Sequence, residues 1–257
     1  MLIVNADDWG SSEETTNTIK ECLDYKIIDT VSAMVFMKDS HRAADMALQE
    51  GTKTALHVNF TTPFDGDVHS VRLKEAQLRL IKYLRSSKLA QLVYNPLLTR
   101  DFEYVFNSQC EEFTKLYGTV PNRIDGHNHM HLCANMIFGD LLPRNIRVRR
   151  NITVRRGEKG MANRFYRSFL DKILEKRYIC THFFYHIQQI SKNGKEKRAE
   201  LLCMLEDQAQ VKFIELLAHP QQKIDYDYLL SKEFMDAAFR IPRGDFSGCQ
   251  QSRQILK

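Results

Sequence analysis

Short apolar runs alternate with longer amphipathic stretches along almost the whole chain, and this rhythm constrains the fold more than any single motif does. Strands are expected at 2–6, 30–36, 54–60, 123–129, 146–149, 178–182 and 212–218. Helices are expected at about 13–25, 39–50, 71–93, 103–117, 133–143, 161–176, 195–210 and 226–239. Phe102, Val105, Phe106, Cys110 and Phe113, for example, recur at helical spacing. Asp39-Ser40 stands where an N-cap belongs, just before His41-Arg-Ala-Ala. Strand–helix alternation implies a mainly parallel sheet. Seven strands in 257 residues favour a single-domain α/β fold, a distorted (β/α) barrel of the TIM-like kind. A doubly wound sheet is the runner-up, but no G-x-G-x-x-G follows the first strand.

Composition narrows the partners. An apolar fraction of 43% and a charged fraction of 27% suit a globular protein with a sizeable core. The net charge of +5 is a small excess, clustered only in the run Arg144–Arg150 and at Arg155-Arg156, so no nucleic-acid partner is expected. The six cysteines show no C-x-x-C spacing and read as reduced thiols of a cytoplasmic protein. The apolar opening Met1–Val4 is too short for the core of a secretory leader and lacks a basic stretch before it. No apolar run approaches a membrane span, so no membrane partner is expected. A homo-oligomer is left open. The loops 61–71 and 192–197 carry Pro, Gly and charge; in a barrel the former lies on the catalytic face.

Polar residues mark the strand ends. The first strand runs into Asp7-Asp8, two adjacent carboxylates that need compensation unless one caps a helix. His57 and Asn59 share one strand face, as do Glu215 and His219 before Pro220. Taken alone, each histidine fits a satisfied core residue. The strongest signal is Arg123-Ile-Asp-Gly-His-Asn-His-Met-His131, which holds three of the chain's nine histidines. As a strand it puts Asp125, His127, His129 and His131 on one side, with alternate Cα atoms about 6.5–7 Å apart. A polar strand edge is the bland alternative. Because these groups fall at the carboxyl ends of separate strands, which converge at one mouth of a parallel barrel, a divalent metal site with flanking acid and base groups is the best joint reading. Mixed Asp and His ligands suit a catalytic ion rather than a cysteine-bound structural one.

"NADDWG" at 5–10, "HVN" at 57–59, "DGHNHMH" at 125–131 and "ELLAHP" at 215–220 together resemble the YdjC-like carbohydrate deacetylases, the chitooligosaccharide deacetylase family, over roughly residues 1–225. The resemblance implies a distorted barrel that hydrolyses the N-acetyl group of an amino sugar or short oligosaccharide, a small carbohydrate partner, and one divalent cation, Mg2+ or Zn2+. It implies Asp8, His57 and His127 as metal ligands, Asp7 as general base, His219 as general acid, and Arg149 as a group orienting Asp7 or the substrate. Asp125, His129, Asn59, Glu215 and Trp9 are expected around the ligands or the substrate, with Asp125 or Glu215 fixing a histidine tautomer. Trp9 stands where the family carries Phe and offers a surface for sugar stacking, as do Phe60 and Phe64. The expected barrel covers 1–240. The tail 241–257 is polar, with Pro242, Gly244 and Gly248, where the family closes with a helix and an apolar strand. The competing readings are a metal-dependent phosphoesterase or nuclease on a similar barrel and a non-catalytic sugar-binding relative.

Overall fold

The first apolar run becomes β1 (Leu2–Trp9), buried along its whole length. Six strands follow: β2 (Thr30–Ala33), β3 (Lys53–Val58), β4 (Arg123–Gly126), β5 (Arg147–Val148), β6 (Phe183–His186) and β7 (Ile214–Ala218). The computed structural model describes residues 1–154 and 160–249. The strands form a seven-stranded sheet in the order β5-β4-β3-β2-β1-β7-β6. β1 and β7, β3 and β4, and β6 and β7 run parallel. Helices connect the strands, giving the α/β class of the distorted barrel that the alternation predicts. Parallel strands covered on both faces read as near-continuous apolar runs, and Leu2, Ile3, Val4, Leu216 and Leu217 are buried accordingly. No helix among the described residues is long and apolar enough to cross a membrane.

Several boundaries move for identifiable reasons. β2 stops at Ala33, and Phe36 takes a positive φ of 62° that no strand continues through. The strand expected at 178–182 forms instead at Phe183–His186, because the ladder with β7 starts at Phe183 opposite Ile214; the earlier stretch makes one bridge, Ile179 to Arg147. The helix expected at 226–239 is two, Lys223–Leu229 and Lys232–Arg240, since the Ser231 side chain caps the second by accepting the Phe234 N–H. Asp39 makes no capping bond. Its carboxylate pairs with Arg42 instead, and Ser40 accepts the Met37 N–H.

The chain divides into two compact units. One comprises Met1–Ala6, Thr18–Thr30 and the residues from Arg147 on, and the other Asp7–Asn17 and Val31–Ile146. In the first, β7 lies between β1 and β6, in register from Leu2 opposite Ile214 to Ala6 opposite Ala218. Among the described residues, the tail forms neither a closing α-helix nor a long strand. The Leu2 N–H donates to the Pro242 carbonyl at 2.7 Å, the Gly244 N–H to the Leu2 carbonyl at 3.1 Å, and Arg243 pairs with Asp29. The tail therefore secures the start of β1. Arg155-Arg156 and the tail beyond Cys249 lie outside the described residues. In the second unit, the β3/β4 register sets His57 opposite Asp125 and Val58 opposite Gly126.

Candidate functional site

The second unit gathers Asp7, Asp8, His57, Asp125 and His127. β1 delivers the two aspartates at its carboxyl end, 2% and 7% exposed. Asp8 has a φ of 72°, a conformation costly for a non-glycine residue and typical of functional sites. The parallel register then brings His57 against Asp125: Nδ1 donates to Asp125 Oδ1 at 2.7 Å. That bond places the ring's lone pair on Nε2. Nε2 lies 3.4 Å from Asp8 Oδ1 and 3.7 Å from Asp7 Oδ2. Beneath it, Asp125 Oδ2 accepts the Ser32 hydroxyl at 2.6 Å and pairs with Arg123 Nη1 at 2.8 Å. His127 Nδ1 lies 2.9 Å from Asp8 Oδ1.

The chain after β4 departs from the expected strand. β4 ends at Gly126, and residues His127–Leu132 form a tight turn in which Asn128 and His129 take φ of 54° and 59°. A Cβ on Gly126 would lie 2.9 Å from Val58 Cγ2 and 3.0 Å from the His131 nitrogen, so only glycine lets the turn close this tightly. The three histidines therefore do not line one face. His127 reaches Asp8, His129 is half-buried, and His131 is fully buried. Asn128 is held by its side-chain N–H donating to Thr61 Oγ1 at 3.0 Å.

The donor set fits a divalent ion. Asp8, His57 and His127 each offer an atom, all within 4.8 Å of one another. Metal–ligand bonds of about 2.0–2.2 Å at tetrahedral angles put ligand atoms roughly 3.4 Å apart, close to the 3.4 and 2.9 Å found. Charge points the same way, since Asp7, Asp8 and Asp125 are all buried beside His57 and His127. Burial pushes the Asp8 carboxyl up, but hydrogen bonds from His127 and His57 outweigh it and hold it well below the usual carboxylate range. Burial likewise pushes the His57 imidazole down. The charge of Asp7 and the bonds to Asp125 and Asp8 overcome this and raise it to about 10. The pocket thus attracts positive charge, whether a proton on Nε2 or a metal ion.

Other expected site residues are placed differently. Trp9 is fully buried, its indole N–H donating to the Ala43 carbonyl, and Phe60 and Phe64 are buried as well. None of the three can stack on a sugar, because core packing covers their faces. Asn59 is fully buried; its Oδ1 accepts the Thr61 and Thr62 N–H groups and its Nδ2 donates to the Thr62 carbonyl. It organises the loop after β3. Sequence reasoning gave no role to Arg123 or Ser32. Their signal was thin: an arginine at an apolar strand position implies a buried carboxylate partner.

In the first unit, Arg149 and Glu215 form a fully buried pair, Nε to Oε1 2.6 Å, with the guanidinium 5.0 Å over the Phe184 ring. His219 follows β7, its main-chain N–H donating to Asp225 Oδ2 at 2.8 Å. Its ring stacks on His186. His186 and Asp225 also went unassigned in the sequence.

A carbohydrate deacetylase of Clostridium beijerinckii is 25% identical over 94% of this chain and 87% of its own length. A chitooligosaccharide deacetylase of Proteus mirabilis is 28% identical over 51% of this chain and 50% of its own. The chain thus spans about half the length of several curated relatives it matches. A crystal structure of an Enterococcus faecalis protein named for cellobiose-phosphate cleavage shares the fold, with a TM-score of 0.62 at 15% identity over 95% of this chain and 97% of that one. Residues 1–238 match the YdjC-like protein family as a whole, and the chain belongs to that family.

Proposed function

We propose that this protein removes N-acetyl groups from amino sugars or short N-acetylated oligosaccharides by hydrolysis assisted by one divalent ion. The observation that carries the reading is the set of buried Asp8 and His57 with half-buried His127, and a second carboxylate, Asp7, 3.7 Å from the same His57 nitrogen. The names of the curated relatives support the substrate class. Asp8, His57 and His127 would hold the ion. When bound, zinc or magnesium polarises a carbonyl and acidifies water.

The chain's own groups do the rest. Asp7 takes a proton from the attacking water onto a carboxylate oxygen. Asp125 keeps the His57 proton on Nδ1 and so leaves Nε2 unprotonated for the ion. His219 gives a proton to the amide nitrogen as the C–N bond breaks, because an amide nitrogen leaves poorly without one. Arg149, fixed by Glu215, orients the reacting groups. The cysteines are free, which supports a reducing, cytoplasmic location. The test is a metal-replete assay for acetate release from N-acetylated mono- and oligosaccharides, with metal content measured on the same sample. Metal-bound protein that releases no acetate yet cleaves a phosphodiester would overturn the reading.

A further inference from the structure

β6 and β7 are parallel neighbours with His186 opposite Leu217. His219 lies two positions beyond Leu217, so the strand period sends its side chain to the same face as His186. The two imidazoles are stacked, with ring centroids 5.3 Å apart and planes 21° apart.

Three hydrogen bonds fix this pair. The Gln188 main-chain N–H donates to His186 Nδ1 at 3.0 Å. An accepting nitrogen carries no proton, so His186 is a neutral ring with its proton on Nε2. The Gln188 side-chain N–H donates to Asp225 Oδ1 at 2.8 Å, and Asp225 Oδ2 accepts the His219 main-chain N–H. Asp225 is itself fully buried. His219 Nδ1 is buried and meets no hydrogen-bond partner among the described residues. Packing, then, sets the rotation of the His219 ring, and a stacked aromatic ring is such packing. A neutral π face also tolerates a cationic imidazole against it, where a second cation would repel it. Charged groups near the pair among the described residues include Asp225 on the helix Lys223–Leu229 and, lining a cleft of about 430 Å³ with His186, Arg167 and Lys192.

We propose that His186 is the positioning residue of the proton donor: its neutral ring, fixed by Gln188, holds the His219 imidazole in the orientation from which it protonates the leaving nitrogen. This rests on the reading of His219 as the general acid, and two substrates separate the two claims. One is an N-acetylated disaccharide, whose amide nitrogen needs a proton to leave. The other is 4-nitrophenyl acetate, whose phenolate leaves without one. His219→Ala should lose about 10²–10⁴-fold in kcat on the amide and little on the ester. A loss of the same size on both substrates, or on neither, would sink the acid reading itself. His186→Ala should lose about ten- to a hundredfold in kcat on the amide, with KM little moved and the ester rate preserved. His186→Phe, which restores the stack, should regain most of that rate, and His186→Gln should not. If His219 behaves as the acid while His186→Ala matches the natural protein, loses equally on the ester, or is not rescued by Phe relative to Gln, the positioning role is wrong. The Phe and Gln variants decide the matter even if the Ala variant fails to fold. A 15N spectrum of the metal-loaded protein should place the His186 proton on Nε2; a protonated Nδ1 would overturn the proposal as well.

Discussion

Each compact unit holds a cluster of histidines and buried carboxylate, and the two clusters differ in what satisfies the carboxylates. In the Asp7–Asp8–His57–His127 cluster, Asp8 is met by two imidazoles, groups that can hold a proton or yield it to a metal ion. In the His186–His219–Asp225 cluster, Asp225 is met by a main-chain N–H and a glutamine amide, neutral donors that never change charge. Both groups have ligand atoms within 4.8 Å of one another, so proximity alone would make each a metal site. Chemistry separates them. The first meets its carboxylate with titratable rings that a cation can share, while the second is already satisfied by hydrogen bonds and asks only for a fixed ring.

The sharpest way to break this comparison is to remove one histidine from each cluster. His57→Ala should lose both the bound ion and turnover, whereas His186→Ala should keep its full metal content by elemental analysis. Equal metal loss in the two would erase the distinction. Asp7→Asn comes next: it keeps the ligand set but removes the base, so kcat should fall about 10²–10⁴-fold with metal content unchanged. On the other side, Glu215→Leu leaves the Arg149 charge buried without its Glu215 partner. Unfolding in denaturant should show a loss of about 3–5 kcal/mol. The double change Arg149→Met with Glu215→Leu should recover most of that stability, because a buried pair and a well-packed apolar pair are often nearly equivalent. Activity should stay low in the double variant if Arg149 orients the reacting groups.

Asp125→Asn tests the layer under the ligands. It removes the charge that fixes the His57 tautomer but leaves the ring in place, so metal affinity should fall about 10–100-fold rather than vanish. Titration with a competing chelator reads this directly, and an unchanged affinity would mean that Ser32 and Arg123 hold Asp125 for packing alone.

The strand rhythm made the sheet legible because strands such as β1, β2 and β7 are buried along their length, and Asp7, Asp8, His57 and His127 were legible because polar residues at strand ends stand out against apolar runs. The aromatic rings misled for the same reason in reverse. Trp9 follows a polar strand end, yet its indole N–H finds the Ala43 carbonyl, a partner 34 residues away that no local pattern announces. Arg123 and Asp225 were hidden because their importance lies in a register and in a turn, Asp125 against His57 and Asp225 under the His219 main chain. His186 was missed because the sequence put the end of its strand several residues too early.

The motif at 125–131 holds the smallest expected effect, at His131, and the most discriminating comparison. A strand would have put His127, His129 and His131 on one side, with neighbours in the row able to share an ion. The turn breaks that row. With Asn128 and His129 both at positive φ, the chain leaves the strand path after His127, which stays with Asp8 while His131 enters the core. His127→Ala should therefore lose the ion. His131→Ala should leave metal affinity unchanged and appear only as a stability loss of about 1–3 kcal/mol, as for other buried truncations. Reading both quantities on one preparation separates the roles, since a ligand lowers metal affinity at constant fold and a core residue lowers stability at constant affinity. Matching losses of affinity in the two variants would restore the strand and remove the turn from the account of this site.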